Sequence, residues 1–210
     1  MNTLPFRLKP WHITLLKTLI HLSCLSYIAG NYYLAAMDDL GADPVKALIH
    51  NMGIASINLL IISLAVSPCA RYFKLGQLLQ TRRMIGLYSF AFALLHIANY
   101  LAFELQADWA NLLDDIIKRP YITVGVATFT ILLALSITSP DAMRRKLKKH
   151  WQQLHNLVYP GLLLAWLHMF WSIKSDLTEP GLYLLLTAVL FAVRKDQATY
   201  WIKKQIKRLT

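Results

Sequence analysis

The chain is poor in charge. Only 16% of its residues are Asp, Glu, Lys or Arg, against 56% hydrophobic. The mean hydropathy is positive. A soluble domain of 210 residues needs more polar surface than this. Acids are scarcer still: 11 Asp and Glu stand against 22 Lys and Arg, for a net charge of +11. There are two cysteines, Cys24 inside an apolar run and Cys69 at the end of one, which argues against a disulfide framework. No GxGxxG or P-loop is present, and no connection is long enough for a soluble nucleotide-binding domain. The first apolar run is too long for a leader's h-region and lacks a small-residue cleavage site, so it is expected to stay as a membrane helix. No repeat, low-complexity segment or long linker is visible, and residues 1–210 read as a single domain.

What is present is a set of long apolar runs. They span Thr18 to Met37, Ala47 to Ser67, Met84 to Phe103, Pro120 to Ser139, Gln153 to Trp171 and, less apolar, Leu177 to Val193. The first five approach the ~20 residues that carry a helix across ~30 Å of hydrocarbon, and a membrane strand would be half as long. The charges between the runs alternate. Bases collect before the first run (Arg7, Lys9, Lys17), after the second (Arg71, Lys74, Arg82, Arg83), after the fourth (Arg144 to Lys149) and after the sixth (Arg194, Lys195, Lys203, Lys204, Lys207, Arg208, beside Asp196). The other connections hold the acids, among them Asp38, Asp39, Asp43, Glu104, Asp108, Asp176 and Glu179. This positive-inside pattern predicts an all-α bundle of six transmembrane helices with both termini cytoplasmic. It also accounts for the basic balance: topology first, anionic lipid second, and no nucleic acid. Trp11, Trp109, Trp151, Trp171 and Trp201 fall where interfacial belt residues are expected. Asp-Pro at 43–44, Arg-Pro at 119–120 and Glu-Pro at 179–180 predict helix starts, and Pro160-Gly161 a kink in the fifth run.

Ionisable groups at membrane depth are rare and mark function. At 1.5 Å per residue, His96 lies ~18 Å above the cytoplasmic end of its run and His168 ~22 Å above the end of its own. Two imidazoles from different helices at matching depth are what a bis-histidine haem requires. The alternative for either one alone is a hydrogen bond to a neighbouring helix. Phe90, Phe92, Tyr100, Tyr159, Trp166, Phe170 and Gly86 lie nearby in sequence, and Gly161 has room for a ring to approach. With no CxxCH, such a haem would be non-covalent. His155 lies ~20 Å below His168 on the same run, and its partner is open; His21 is at similar depth. His50, His150 and His12 read as interfacial or external. Arg82-Arg83 and Arg144 to Lys149 offer charge for a flavin phosphate or an acidic donor protein, against the simpler reading as topology signals.

Five segments carry a resemblance: LGADPVK at 40–46, TRRMIGL at 81–87, LLHIANYLAFEL at 94–105, KRPYITVG at 118–125 and KHWQQLHNLVY at 149–159. Across nearly its whole length the chain resembles the ferric-reductase-like transmembrane domain, and within it the MsrQ (YedZ) family. The resemblance implies b-type haem, with FMN also known for the family, and electron delivery from the bacterial inner membrane or cytoplasm. The receiver would be a periplasmic MsrP-like molybdopterin reductase that repairs methionine sulfoxide. By motif the family's haem histidines fall on His96, His155 and His168. Two-haem members of the wider superfamily carry a second histidine thirteen residues before the one at His96; this chain has Arg83 there, a poor iron ligand.

The expected function is therefore that of an electron-transfer subunit rather than a catalytic subunit, with quinol or a cytoplasmic flavin reductase as donor. A cytochrome b-like subunit of a ferric-iron or quinol oxidoreductase remains open on the residues alone. So does a histidine-dependent proton path or transporter, and so does a cofactor-free scaffold.

Overall fold

The computed structural model describes residues 8–106, 108–173 and 177–206. Arg7, Asp176, Lys207 and Arg208 lie outside them, as do the side chains of Trp109, Trp201, Lys195, Asp196, Lys203 and Lys204. Among the described residues every regular element is helical: α1 (Pro10–Ala36), α2 (Pro44–Tyr72), α3 (Leu79–Asn99), α4 (Trp109–Lys118), α5 (Pro120–Ile137), α6 (Asp141–Leu147), α7 (Lys149–His155), α8 (Val158–Ser172) and α9 (Thr178–Ile206). Among the described residues four helical stretches are long and apolar enough to cross a membrane: Pro10–Ala36, Pro44–Tyr72, Gly76–Glu104 and Pro120–Ile137.

The helix starts follow local chemistry rather than the apolar window. α1 begins at Pro10, well before Thr18, because a proline in the first turn lacks only an N–H that has no helical partner anyway. α2 begins at Pro44, capped by the Asp43 carboxylate accepting from the Lys46 N–H at 3.0 Å. The Lys46 ammonium and then its amide hold the Asp43 carboxyl below the ordinary carboxylate range. The third stretch opens on a 3-10 turn at Gly76–Leu78 and closes on a π-helical turn at Tyr100–Glu104.

The fifth run departs furthest from expectation. It is not one helix from Gln153 to Trp171 but two, α7 and α8, broken at Asn156–Leu157. Pro160 falls in the first turn of α8, where its missing N–H is harmless, while its ring disfavours a continuous helix through Asn156. The fifteen residues of α8 reach about 22 Å, short of a full crossing alone. α9 continues beyond Val193 to Ile206. Two connections carry helices of their own, α4 and α6.

Packing organises these helices into two pairs, α2 with α3 and α5 with α8. One apolar core joins Ile57, Leu60 and Leu64 of α2 to Leu132 of α5, Leu162 and Met169 of α8, and Tyr183 and Leu190 of α9. A second joins Cys24 of α1 to Leu48 and Met52 of α2 and Phe92 of α3. Ser56 and Ser89, both buried, donate to each other's backbone carbonyls at 2.9 Å, so α2 and α3 approach through small residues. Tyr183 donates to Asn58 at 2.8 Å, Asn51 to Asn31 at 2.7 Å and Tyr32 to Asn99 at 2.7 Å. Between helices in hydrocarbon such bonds contribute about 0.6 kcal/mol each on average. Leu15, Leu19, Leu22 and Leu25 of α1 and Leu182, Leu185, Val189 and Val193 of α9 point outward. That is a large apolar exterior, as lipid-facing helices require.

Candidate cofactor site

His96 of α3 and His168 of α8 meet between the two helix pairs. Their ring centres are 6.0 Å apart and their planes cross at 86°. Each ring is fixed from behind. His96 Nδ1–H donates to the Ile49 carbonyl of α2 at 2.8 Å, and His168 Nδ1–H to the Tyr121 carbonyl of α5 at 2.6 Å. A carbonyl can only accept, so each Nδ1 carries the proton. Each Nε2 is then left as a bare lone pair, the nitrogen that binds a metal.

The separation suits one metal ion between the rings. Two imidazoles bound on opposite sides of a metal by bonds of about 2.0 Å have ring centres roughly 6 Å apart. An edge-to-face aromatic contact also allows that distance, but it does not explain why both Nδ1 atoms are anchored to backbone. Among the described residues no group of three or more His, Cys, Asp and Glu is placed to hold a metal. A two-histidine site suits an ion whose remaining ligands come with it, as a porphyrin supplies four.

Two residues at this site carry no mark in the sequence. Gly53 of α2 lies under the His96 ring, where a Cβ would stand 3.0 Å from Nδ1 and 3.2 Å from Cε1. Gly125 of α5 lies under His168, where a Cβ would stand 2.8 Å and 2.9 Å from the same atoms. Each glycine follows the accepting carbonyl by four residues, and each carbonyl precedes its histidine by 47. The site is thus built twice, although no repeat is visible by inspection. Only GIAS at 53–56 and GVAT at 125–128, at equal distance before LH at 95–96 and 167–168, could have revealed it. Gly161, expected to admit a ring, instead packs against Ile131 of α5.

The other histidines are elsewhere. His155 lines a cavity of about 970 Å³ at the basic end of the bundle. Its ring stacks on Trp151 at 3.9 Å, and Trp151 forms part of the cavity wall. The Thr138 hydroxyl donates to the Ala134 carbonyl at 2.6 Å, so His155 Nε2–H must donate to that hydroxyl at 3.1 Å. His155 therefore keeps Nδ1 bare, the opposite of His96 and His168. His21 is hydrogen-bonded to Tyr88 at 2.6 Å on the exposed side of α1 and has no contact with His155. His50 faces Glu179 at 3.6 Å.

Arg71, Arg82, Arg83, Arg144 and Arg194 also line that cavity, with Asp141 as the only acid among its described wall residues. Arg83, the residue thirteen before His96, is 3.6 Å from Asp141 in a largely exposed pair. Arg194, from α9, is buried and donates to the Leu64 carbonyl at 2.6 Å. Bases distant in sequence therefore converge on one end of the molecule.

Comparison with known proteins gives the family of the chain. Residues 51–166 match the family described as ferric reductase like transmembrane component, a stretch that holds Gly53, His96, Gly125 and His155. A protein of Xanthomonas euvesicatoria pv. vesicatoria, named protein-methionine-sulfoxide reductase heme-binding subunit MsrQ, is 40% identical over 92% of this chain and 89% of its own. A protein of the same name from Xanthomonas axonopodis pv. citri is 42% identical over 85% and 84%. The chain belongs to the MsrQ family. As an MsrQ-family chain with several apolar helices it is a multi-pass membrane protein.

Proposed function

We propose that this protein is the b-haem electron-transfer subunit of a methionine-sulfoxide reductase system, in which His96 and His168 would hold the haem iron. The observation that carries the reading is the pair of backbone-anchored imidazoles whose ring centres lie 6.0 Å apart. When bound, a haem would supply one-electron chemistry there. The chain's own residues supply the rest. The Ile49 and Tyr121 carbonyls fix the tautomer and raise the basicity of each imidazole. The apolar shell sets the dielectric around the iron.

The membrane reading is a six-helix bundle with both termini cytoplasmic, α7–α8 and α9 forming the fifth and sixth crossings. The arginine-lined end then faces the cytoplasm of a bacterial inner membrane. Electrons enter there from quinol or a cytoplasmic flavin reductase and leave at the periplasmic face to an MsrP-like molybdopterin partner. The arginine cavity suits FMN. Its guanidinium groups match a phosphate, and the stacked Trp151 and His155 rings offer a flat wall.

The test is a visible spectrum of the purified protein, air-oxidised and then dithionite-reduced. A sharp α-band and a shifted Soret peak are expected, and both are expected to disappear in His96→Ala and in His168→Ala. In His155→Ala activity should fall further than haem content. Full haem occupancy in both of the first two variants would overturn the ligand assignment. A colourless protein made with ample haem would favour the proton-path reading.

A further inference from the structure

The bare, anchored imidazoles explain where a haem binds but not why their planes cross at 86°. A histidine on a helix can turn about χ2, and its Nδ1–H can follow a carbonyl over a broad range of directions. The carbonyl anchors Nδ1, and a second contact is needed to set the plane of each ring. The Nδ1–Cε1 edge of His96 lies over Gly53, and that of His168 lies over Gly125. At both places the space a Cβ would occupy is taken by the ring. Among the other helical glycines, an added Cβ at Gly30 or Gly181 would meet nothing within 4 Å, and at Gly86 and Gly161 it would meet Ser63 and Ile131 rather than a histidine ring. The arrangement recurs with the same carbonyl, glycine and histidine spacing in α2–α3 and in α5–α8.

We propose that Gly53 and Gly125 are positioning residues that set the crossed orientation of the two axial imidazoles, each by letting its ring lie against the neighbouring helix. The proposal rests on the haem reading above. Alanine at either position must push the ring outward or turn it. The intrusion is deeper at Gly125, at 2.8 Å, than at Gly53, at 3.0 Å. A displaced ring either breaks its carbonyl bond or rotates toward its partner's plane.

Ring orientation has its own signature. Crossed axial planes leave the two iron dπ orbitals nearly degenerate, and a ferric low-spin haem then gives a broad, strongly anisotropic EPR line. Parallel planes split those orbitals and give a rhombic three-line spectrum. The experiment is EPR of the ferric, haem-loaded full-length protein in detergent, with haem retention and midpoint potential measured alongside. Wild type and Gly30→Ala are expected to show the broad anisotropic line. Gly125→Ala is expected to lose that line and to bind haem about 10- to 100-fold more weakly, the range for groups that orient a metal ligand. Gly53→Ala is expected to shift the line and the potential with smaller loss of haem. As the milder intrusion, it keeps the test readable if Gly125→Ala does not fold. A rhombic spectrum in wild type overturns the proposal. So does an unchanged line, potential and haem retention in Gly53→Ala and any folded Gly125→Ala. Absence of low-spin haem from wild type removes the haem reading itself, a distinguishable result.

Discussion

Arg82 and Arg145 are both basic residues near the same end of the chain's helices, and only the first lines the cavity. If the cavity holds FMN, Arg82→Gln removes a charge-assisted bond to phosphate, for which about 1.5–3 kcal/mol is typical, or roughly 10- to 150-fold in affinity. Arg145→Gln should leave FMN retention unchanged. Flavin fluorescence released from each purified variant checks this, and equal retention in both would assign the arginines to topology alone. The candidate histidines His96 and His168 could be picked out at this scale, because imidazole at membrane depth needs a reason. His155 could be named as a candidate from the sequence, but its surroundings could not be read there. Its tautomer depends on Thr138, seventeen residues away in another element, and on that hydroxyl's own bond to Ala134.

At the scale of the helix pair, the α2–α3 contact decides whether the Ile49 carbonyl reaches His96. Ser89 is fully buried there, opposite Ser56. Ser89→Leu adds a net two heavy atoms where the helices pack through small residues and should cost about 1–3 kcal/mol through overpacking. It should also lower haem content by moving α3 off α2. Ser89→Ala loses one interhelical bond, about 0.6 kcal/mol, and should keep its haem. Thermal unfolding followed at the Soret band separates the two; a Leu variant as stable and as red as wild type would refute this account of the contact. Apolar windows located the helices well and their ends poorly. Pro10 and the Asn156–Leu157 break follow from backbone chemistry that hydropathy averages away. α4 and α6 were missed because short polar-faced helices leave little trace in a long apolar pattern.

For the whole molecule, the meeting of Arg71, Arg82, Arg83, Arg144 and Arg194 around one cavity bears on orientation. Cys69 is exposed at the end of α2, the same helix end as Arg71, while Cys24 is buried. If the basic end is cytoplasmic, a membrane-impermeant maleimide should leave Cys69 unlabelled in spheroplasts and label it in inverted vesicles. Labelling from outside would reverse the topology and with it the direction of electron flow.

Composition, run length and charge alternation were enough by themselves to establish a helical membrane protein, and depth was enough to single out His96 and His168. Those properties are local or additive along the chain, so they survive without three dimensions. The carbonyls of Ile49 and Tyr121, the glycines beneath the rings and the 86° crossing were decided only by tertiary structure. The physical reason is distance in sequence. A backbone carbonyl has no residue identity to read, and a glycine shows its purpose only when a ring from 43 residues further along lies where its side chain would be.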